Sequence, residues 1–329
     1  MSSLFVDRRG VHLELDAGAL VFRENGERIG TVPLAPLSRV FLRGHVTLEA
    51  SLLGQLGERG VGVVVLSGKQ GKPSLLLSRP HNDARRRIEQ IRRSLDPDFC
   101  LVYARQLIDT KLTRQQQWFD QLRGKDMQAR YQLTHAMRQL QDHRGRLAGI
   151  ATLESLRGLE GSAAHVYFEG LRAIVPDSLH FTCRNRRPPR DPFNALLFLT
   201  YTLVHAETAM ALHAAGFDPS VGFYHQPSFG RESLACDLLE TVRPLADGLC
   251  LQLVRQQTLT KDHFSQSSTG CLLGKAGRQR YYAAYEESVQ SLRKAIQHGV
   301  DELRATILPQ ADDPSPDNAM QGETEDGID

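Results

Sequence analysis

The sequence is short of the patterns that announce the commoner enzyme classes. Five cysteines (100, 183, 236, 250 and 271) are scattered with no C-x-x-C pair. That spacing argues against a zinc ribbon or a disulfide framework and fits reduced thiols in a cytoplasm. The longest strongly apolar stretch, Ala195 to Val204, holds about ten residues, two of them Thr. A membrane-spanning helix needs ~20, so none is expected. The opening MSSLFVDRRG lacks the apolar core of a signal peptide. H-E-x-x-H, G-x-S-x-G and a His-Asp dipeptide are all absent. This weighs against a zincin, a hydrolase with a nucleophile elbow and an HD-type all-α phosphohydrolase. Gly270 and Gly274-Lys275-Ala276 imitate a phosphate loop, but the glycines are one residue too close and Ala replaces the hydroxyl that holds Mg²⁺. Gly57, Gly60 and Gly62 do not follow a strand and open a helix, which excludes a dinucleotide fingerprint.

Lysine is scarce as well: seven against 33 Arg. Residues 309–329 hold seven acidic residues and no Lys or Arg, so the remaining 40 bases face 31 acids and residues 1–308 carry about +9. Arg offers a planar donor fork suited to phosphate. A basic body with an acidic tail points to a nucleic-acid partner, although an Arg-rich codon bias would produce the same composition.

At ~150 residues per domain, 329 residues suggest about two domains. The expected fold class is α+β: a small N-terminal antiparallel β domain followed by a larger all-α C-terminal domain. HLELD (12–16), ALVFRE (19–24), RIGTVP (28–33) and SRVFLRG (38–44) are short alternating runs divided by turn residues. Asn25-Gly26 is a hairpin signal. A helix over 48–58 and a hairpin of GVVVLS (62–67) with PSLLLS (73–78) complete the β-rich part. The expected division is a β-rich domain over 1–79, a linker over 80–90, an all-α domain over 91–308 and a disordered acidic tail over 309–329. Further helices fit 152–174, 191–215, 228–257 and 278–308. Asp191-Pro192 supplies a cap and then Pro at the first helical position.

Two segments carry chemistry. In LRGLEGSAAHVYFEGL (156–171), Glu160 lies beside Gly161, Ser162, Ala163 and Ala164, whose small size permits close approach of a helix or a ligand. In VGFYHQPSFGRESLACDLLETVRPLADG (221–248), His225 occupies a loop, and Asp237 and Glu240 share a helix face three residues apart. Leu234, Leu238, Leu239 and Val242 line that helix, so a carboxylate among them wants a partner. The spacing also fits a solvated acidic face with Arg231 and Arg243 as surface partners. Together Glu160, His225, Asp237 and Glu240 form a hard, mostly oxygen donor set suited to Mg²⁺ or Mn²⁺.

These residues stand in a wider pattern: Glu160-Gly-x-Ala-Ala-x-x-Tyr167, Arg186-Arg-Pro-Pro-Arg-Asp-Pro-x-Asn194, Gly222-Phe-Tyr-His225, and Ser233-Leu-Ala-x-Asp237-Leu-x-Glu240-x-x-Arg243-Pro-x-x-Asp247. The chain thereby resembles the CRISPR-associated adaptation endonuclease/integrase family, the larger of the two core spacer-acquisition proteins. The resemblance implies a divalent-metal site at Glu160, His225 and Glu240 with Asp237 adjacent. It further implies a homodimer through the β domain and a complex with a small ferredoxin-like partner. It makes the expected activity metal-dependent DNA cleavage and strand transfer. Many relatives carry Asp where Glu240 stands, one methylene shorter. Arg85, Arg86 and Arg87 at the domain junction, Arg184, Arg186, Arg187 and Arg190 in a Pro-rich loop, and Arg231 are the expected contacts to double-stranded DNA, read through its phosphates. Two other readings compete: a non-catalytic DNA-binding scaffold, and an all-α metal phosphohydrolase acting on nucleotides.

Overall fold

The computed structural model describes residues 2–68, 72–76, 83–185, 188–268 and 270–308. Strands β1 (Ser2–Asp7), β2 (Val11–Asp16), β3 (Ala19–Glu24), β4 (Glu27–Pro33), β5 (Leu37–Arg43) and β6 (Val46–Leu48) lead into helix α1 (Ala50–Glu58). Strands β7 (Gly62–Ser67) and β8 (Lys72–Leu76) follow. They build two four-stranded sheets, ordered β1-β5-β7-β8 and β4-β3-β2-β6. The antiparallel expectation holds only in part. β1 runs parallel to β5, β5 parallel to β7 and β2 parallel to β6, while β7–β8 and β2–β3–β4 are antiparallel. Parallel neighbours need a crossover; the β2–β4 meander links β1 to β5, strands β3–β5 link β2 to β6, and α1 lies on the link from β5 to β7. Strand β7 reads Gly-Val-Val-Val-Leu-Ser because both of its faces are covered. Val40, Leu42 and Val63 face the second sheet, whereas Phe41, Val64 and Leu66 join the core of the helices. Asn25 and Gly26 both take positive φ, 52° and 84°, as the tight turn requires.

The helices are α2 (Ala84–Ser94), α3 (Pro97–Arg123), α4 (Arg130–Gly145), α5 (Leu153–Arg172), α6 (Pro192–Ala214) and α7 (Ser233–Arg255). After the hairpin β9 (Phe264–Ser267) and β10 (Gly270–Leu273) come α8 (Lys275–Ser288) and α9 (Gln290–Ile307). Most of the expected 80–90 linker is helix, because Asp83 caps α2 by accepting from the Arg85 amide. The hairpin interrupts a region expected to be all helix, and the expected 278–308 helix breaks at Val289. The expected tail, 309–329, lies outside the described residues. Asp191 caps α6 through the Asn194 amide at 2.8 Å, with Pro192 in the first turn. Helix α6 is long and apolar enough to cross a bilayer, yet 78% of that window is buried inside the protein. It is the central helix of the core.

The sheet and the helices are tied together. Phe5 stacks on Phe41 and on Tyr282 of α8 at centroid distances of 4.6 and 4.4 Å. Buried Glu207 of α6 accepts from Tyr285 at 3.0 Å and from Arg293 Nε at 2.8 Å, and Arg39 of β5 lies 3.5 Å away. Arg293 also pairs with Glu286, which accepts from the Ser3 amide of β1 at 2.9 Å.

Candidate metal and nucleic-acid site

Three helices meet at the candidate site. Helix α3 buries Ala104, Leu107, Ile108, Lys111, Leu112, Gln115 and Phe119, a core-facing ridge in which Lys111 takes the place of an apolar residue. Helix α5 starts at Thr152, whose hydroxyl accepts from the Ser155 amide, and buries Leu156, Leu159, Ala163 and Tyr167. That packing brings Glu160 to the flank of the ridge, where it forms an ion pair with Lys111. Helix α7 contributes Glu240, only 4% exposed, whose Oε2 accepts from Lys111 Nζ at 2.7 Å. Its other oxygen pairs with Arg243 at 3.1 Å, one turn on.

Two glutamates far apart in sequence thus converge on one ammonium. Burial pushes the Glu240 carboxyl up, but the Arg243 guanidinium and the Lys111 ammonium outweigh it and hold it down to about 2. Burial likewise disfavours charge on Lys111, and the two carboxylates reverse this and raise its pKa. Arg243 lies 5.0 Å over the Tyr201 ring. The Tyr201 and Tyr167 hydroxyls both donate to buried Asp247. Desolvation pushes the Asp247 carboxyl up to about 6 despite those two hydrogen bonds.

Asp237 plays a different part. Fully buried, it accepts from the amides of Phe223, Tyr224 and His225 at 2.8, 3.0 and 2.8 Å, and from His225 Nδ1 at 2.7 Å. A carboxylate accepts only, so Nδ1 carries the hydrogen and Nε2 is the nitrogen open to a ligand or a proton. Gly222 makes this cradle possible: a Cβ there would meet His225 O at 2.7 Å and Asp237 Oδ2 at 2.9 Å. The structure therefore brings Glu160 and Glu240 together through Lys111, and pairs His225 with Asp237. Among the described residues no group of three His, Cys, Asp or Glu side chains stands ready to hold a metal.

The donor set nevertheless fits a cation. Two carboxylates already enclose one positive charge, and a histidine fixed by a carboxylate on its far nitrogen is the usual arrangement behind a metal. Sequence reasoning missed Lys111. Its signal was available: a rare lysine at a core position of a mostly apolar helical ridge.

The expected DNA contacts divide. Arg190 is exposed. Arg85 is exposed and paired with Asp83 at 3.0 Å, and Arg87 is half-buried. Arg86 departs from expectation: it is buried and donates to the Ala215 carbonyl at 2.9 Å, a tie between α2 and the end of α6. Arg184 donates to Asn194 Oδ1 at 2.8 Å and lies 5.5 Å over Tyr201. Arg231 donates to the Gln226 carbonyl and to Ser233 Oγ, bracing the loop after His225. Arg186 and Arg187 lie outside the described residues. Arg157, missed in the sequence, donates to the Tyr224 carbonyl at 3.0 Å, one turn before Glu160.

Mixed strands packed on a helical body, with buried carboxylates, a braced histidine and nearby arginines, make an arrangement suited to binding a cation or a phosphate. Comparison with known proteins narrows this. The family described as CRISPR associated protein Cas1 matches residues 4–287. A CRISPR-associated endonuclease Cas1 of Thermodesulfovibrio yellowstonii is 36% identical over 315 residues, 95% of this chain and 99% of that protein. One from Thermus thermophilus is 32% identical over 298 residues, 90% and 86% of the two chains. Among solved structures, a Thermotoga maritima Cas1 superposes with a TM-score of 0.82 at 20% identity, covering 94% of this chain and 97% of that one. A casposase bound to integration product also gives 0.82 at 20% identity, covering 100% and 96%. The chain belongs to the Cas1 family.

Proposed function

We propose that this protein is a metal-dependent DNA endonuclease and integrase of CRISPR adaptation, inserting DNA fragments as new spacers into a repeat array. The observation that carries the reading is the convergence of Glu160 and Glu240 on the Lys111 ammonium, with His225, held in a single tautomer by Asp237, close enough to act electrostatically on Glu240. Endonuclease relatives and the casposase fold neighbour support the activity.

Glu160, Glu240 and His225 Nε2 would hold Mg²⁺ or Mn²⁺, which stabilises charge on a phosphoryl oxygen and orients an attacking hydroxyl. Lys111 and Arg243 hold the Glu240 carboxyl low, so that it is ionised at neutral pH. Asp237 fixes the loop that carries His225. The exposed arginines hold the phosphate backbone. In strand transfer a DNA 3′-hydroxyl attacks a repeat phosphodiester; one P–O ester bond forms, another breaks, and the displaced strand leaves with the proton. Fold neighbours that include a Cas1–DNA complex and a Cas6-RT-Cas1–Cas2 complex support DNA and a further Cas protein as partners; that the DNA is double-stranded, the partner small and ferredoxin-like, and the protein a homodimer through its β sheets belongs to the same proposal. All five cysteines are free thiols, which fits a reducing cytoplasm.

One observation favours a second reading. A site already neutralised by Lys111 needs no metal to be stable, as a DNA-binding scaffold would require. Strand transfer of a 3′-hydroxyl oligonucleotide into a repeat duplex, with Mn²⁺ or with chelator, separates the two. Glu160→Ala, His225→Ala and Glu240→Ala should each abolish transfer while leaving far-UV circular dichroism unchanged. Any two together should cost little more than one, because they act as a unit. Full DNA binding by the wild type with no joining in Mn²⁺ would establish the scaffold instead.

A further inference from the structure

Phe229 is 107% exposed, the most exposed of the large apolar side chains among the described residues. It sits at the tip of a tight turn, where Ser228 pairs with Arg231, the Arg231 amide donates to the Ser228 carbonyl at 3.1 Å, and Gly230 takes φ 68°. The base of the turn is braced. The Arg231 guanidinium and Ser233 Oγ both donate to the Gln226 carbonyl, and Asp237 holds His225 just before it. The ring is therefore held out into solvent by a built turn.

Phe229 is four residues from His225, so at most ~14 Å of chain separates them, about four base steps of a duplex. Its neighbours Gln226, Ser228, Arg231 and Glu232 are polar, and Pro227 and Gly230 add little apolar surface. One ring of ~200 Å² set among polar groups is far below the ~800 Å² that a protein partner covers. A flat apolar face of this size beside a guanidinium matches a single nucleobase, which stacks on an aromatic ring whatever its identity.

We propose that Phe229 is a base-stacking residue: it receives an unpaired nucleobase flanking the phosphodiester held at the Glu160–Glu240 site. The inference rests on the reading that this site acts on DNA. It gives the turn one task, to hold the strand open beside the reacting phosphate, leaving base identity to other contacts.

The test uses the full-length protein and two DNAs: a fully paired duplex, and a fork with 2-aminopurine as the first unpaired base. Wild-type protein should change the 2-aminopurine fluorescence on binding and prefer the fork. Phe229→Ala should lose most of that change and bind the fork about tenfold more weakly, within the range for one lost stack, with duplex affinity unchanged. Phe229→Trp should restore both. An exposed residue gives up no core contacts, so the variants keep the fold. Unchanged fork affinity and fluorescence in Phe229→Ala would overturn the proposal alone. An equal loss on both DNAs, or a change in molecular mass in solution, would also overturn it, the latter in favour of self-association. Wild-type protein that binds neither DNA would refute the DNA reading and this proposal with it.

Discussion

Replacing Lys111 with Met tests the electrostatics of the site directly. The ammonium is 5% exposed and lies between two carboxylates that are 19% and 5% exposed. Methionine fills a similar volume and removes the charge. Removing one partner of a buried pair costs about 3–5 kcal/mol, because the remaining charge is stranded. Glu240 keeps Arg243, and Glu160 reaches some water, so the lower end, about 3 kcal/mol, applies here. A chain of roughly 300 ordered residues unfolds with an entropy near ~0.6 kcal/mol/K, which converts that loss into a fall in Tm of about 5 °C. Scanning calorimetry measures it. Glu160→Gln in the same chain should recover part of the loss, because the two changes share one contact. Mn²⁺ should raise the Tm of Lys111→Met by more than it raises that of the wild type, since the cation then replaces the missing charge. A Tm within 1 °C of wild type, with no recovery in the double variant, would refute the claim that Lys111 neutralises these carboxylates.

Asp247 sets a pH dependence of opposite sense to a salt-bridged carboxylate. Its folded pKa is raised from 3.8 to about 6, so between those values the folded protein holds more proton than the unfolded chain. Stability therefore falls as pH rises through that window, by up to about 3 kcal/mol; denaturant titrations should show this slope in the wild type and its absence in Asp247→Asn. Gly222→Ala should drive the loop off Asp237, costing roughly 1–3 kcal/mol and abolishing strand transfer even though no catalytic side chain changes. Arg186, Arg187 and Arg190 replaced together by Ala should flatten the plot of log K against log salt by up to ~2–3, near 0.9 for each lost phosphate contact; an unchanged slope would remove this loop from the DNA interface.

Local signals in the sequence proved dependable where the physics is local. Asn25-Gly26 turns because both residues accept positive φ, and Asp191-Pro192 starts a helix because capping needs only neighbours. The spacing of Asp237 and Glu240 placed them on one helix, but not their separate duties: Asp237 gathers three amides of a loop, while Glu240 faces Lys111. That difference depends on which segments pack against α7, and no spacing encodes it. Lys111 lies 49 residues from Glu160 and 129 from Glu240, so its place is a product of tertiary packing. Parallel pairing of β1 with β5 was illegible for the same reason, since the intervening meander reads as a complete unit by itself. Arg86 reads as one base in a run of three; only the approach of Ala215 makes it interior.

Glu207 and its partners give the chain an order of assembly. Its carboxylate needs Tyr285 and Arg293, and Arg293 also reaches Ser3 Oγ at 2.5 Å. The first strand is thus synthesised long before the residues that satisfy it. During synthesis the sheets and α6 must wait for residue 293, with an acid at their seam that has only the more distant Arg39 as counter-charge. A nascent chain arrested before residue 293 leaves the first strand and the middle of α6 as open surfaces. Folding closes when α8 and α9 arrive and lock the first strand in place.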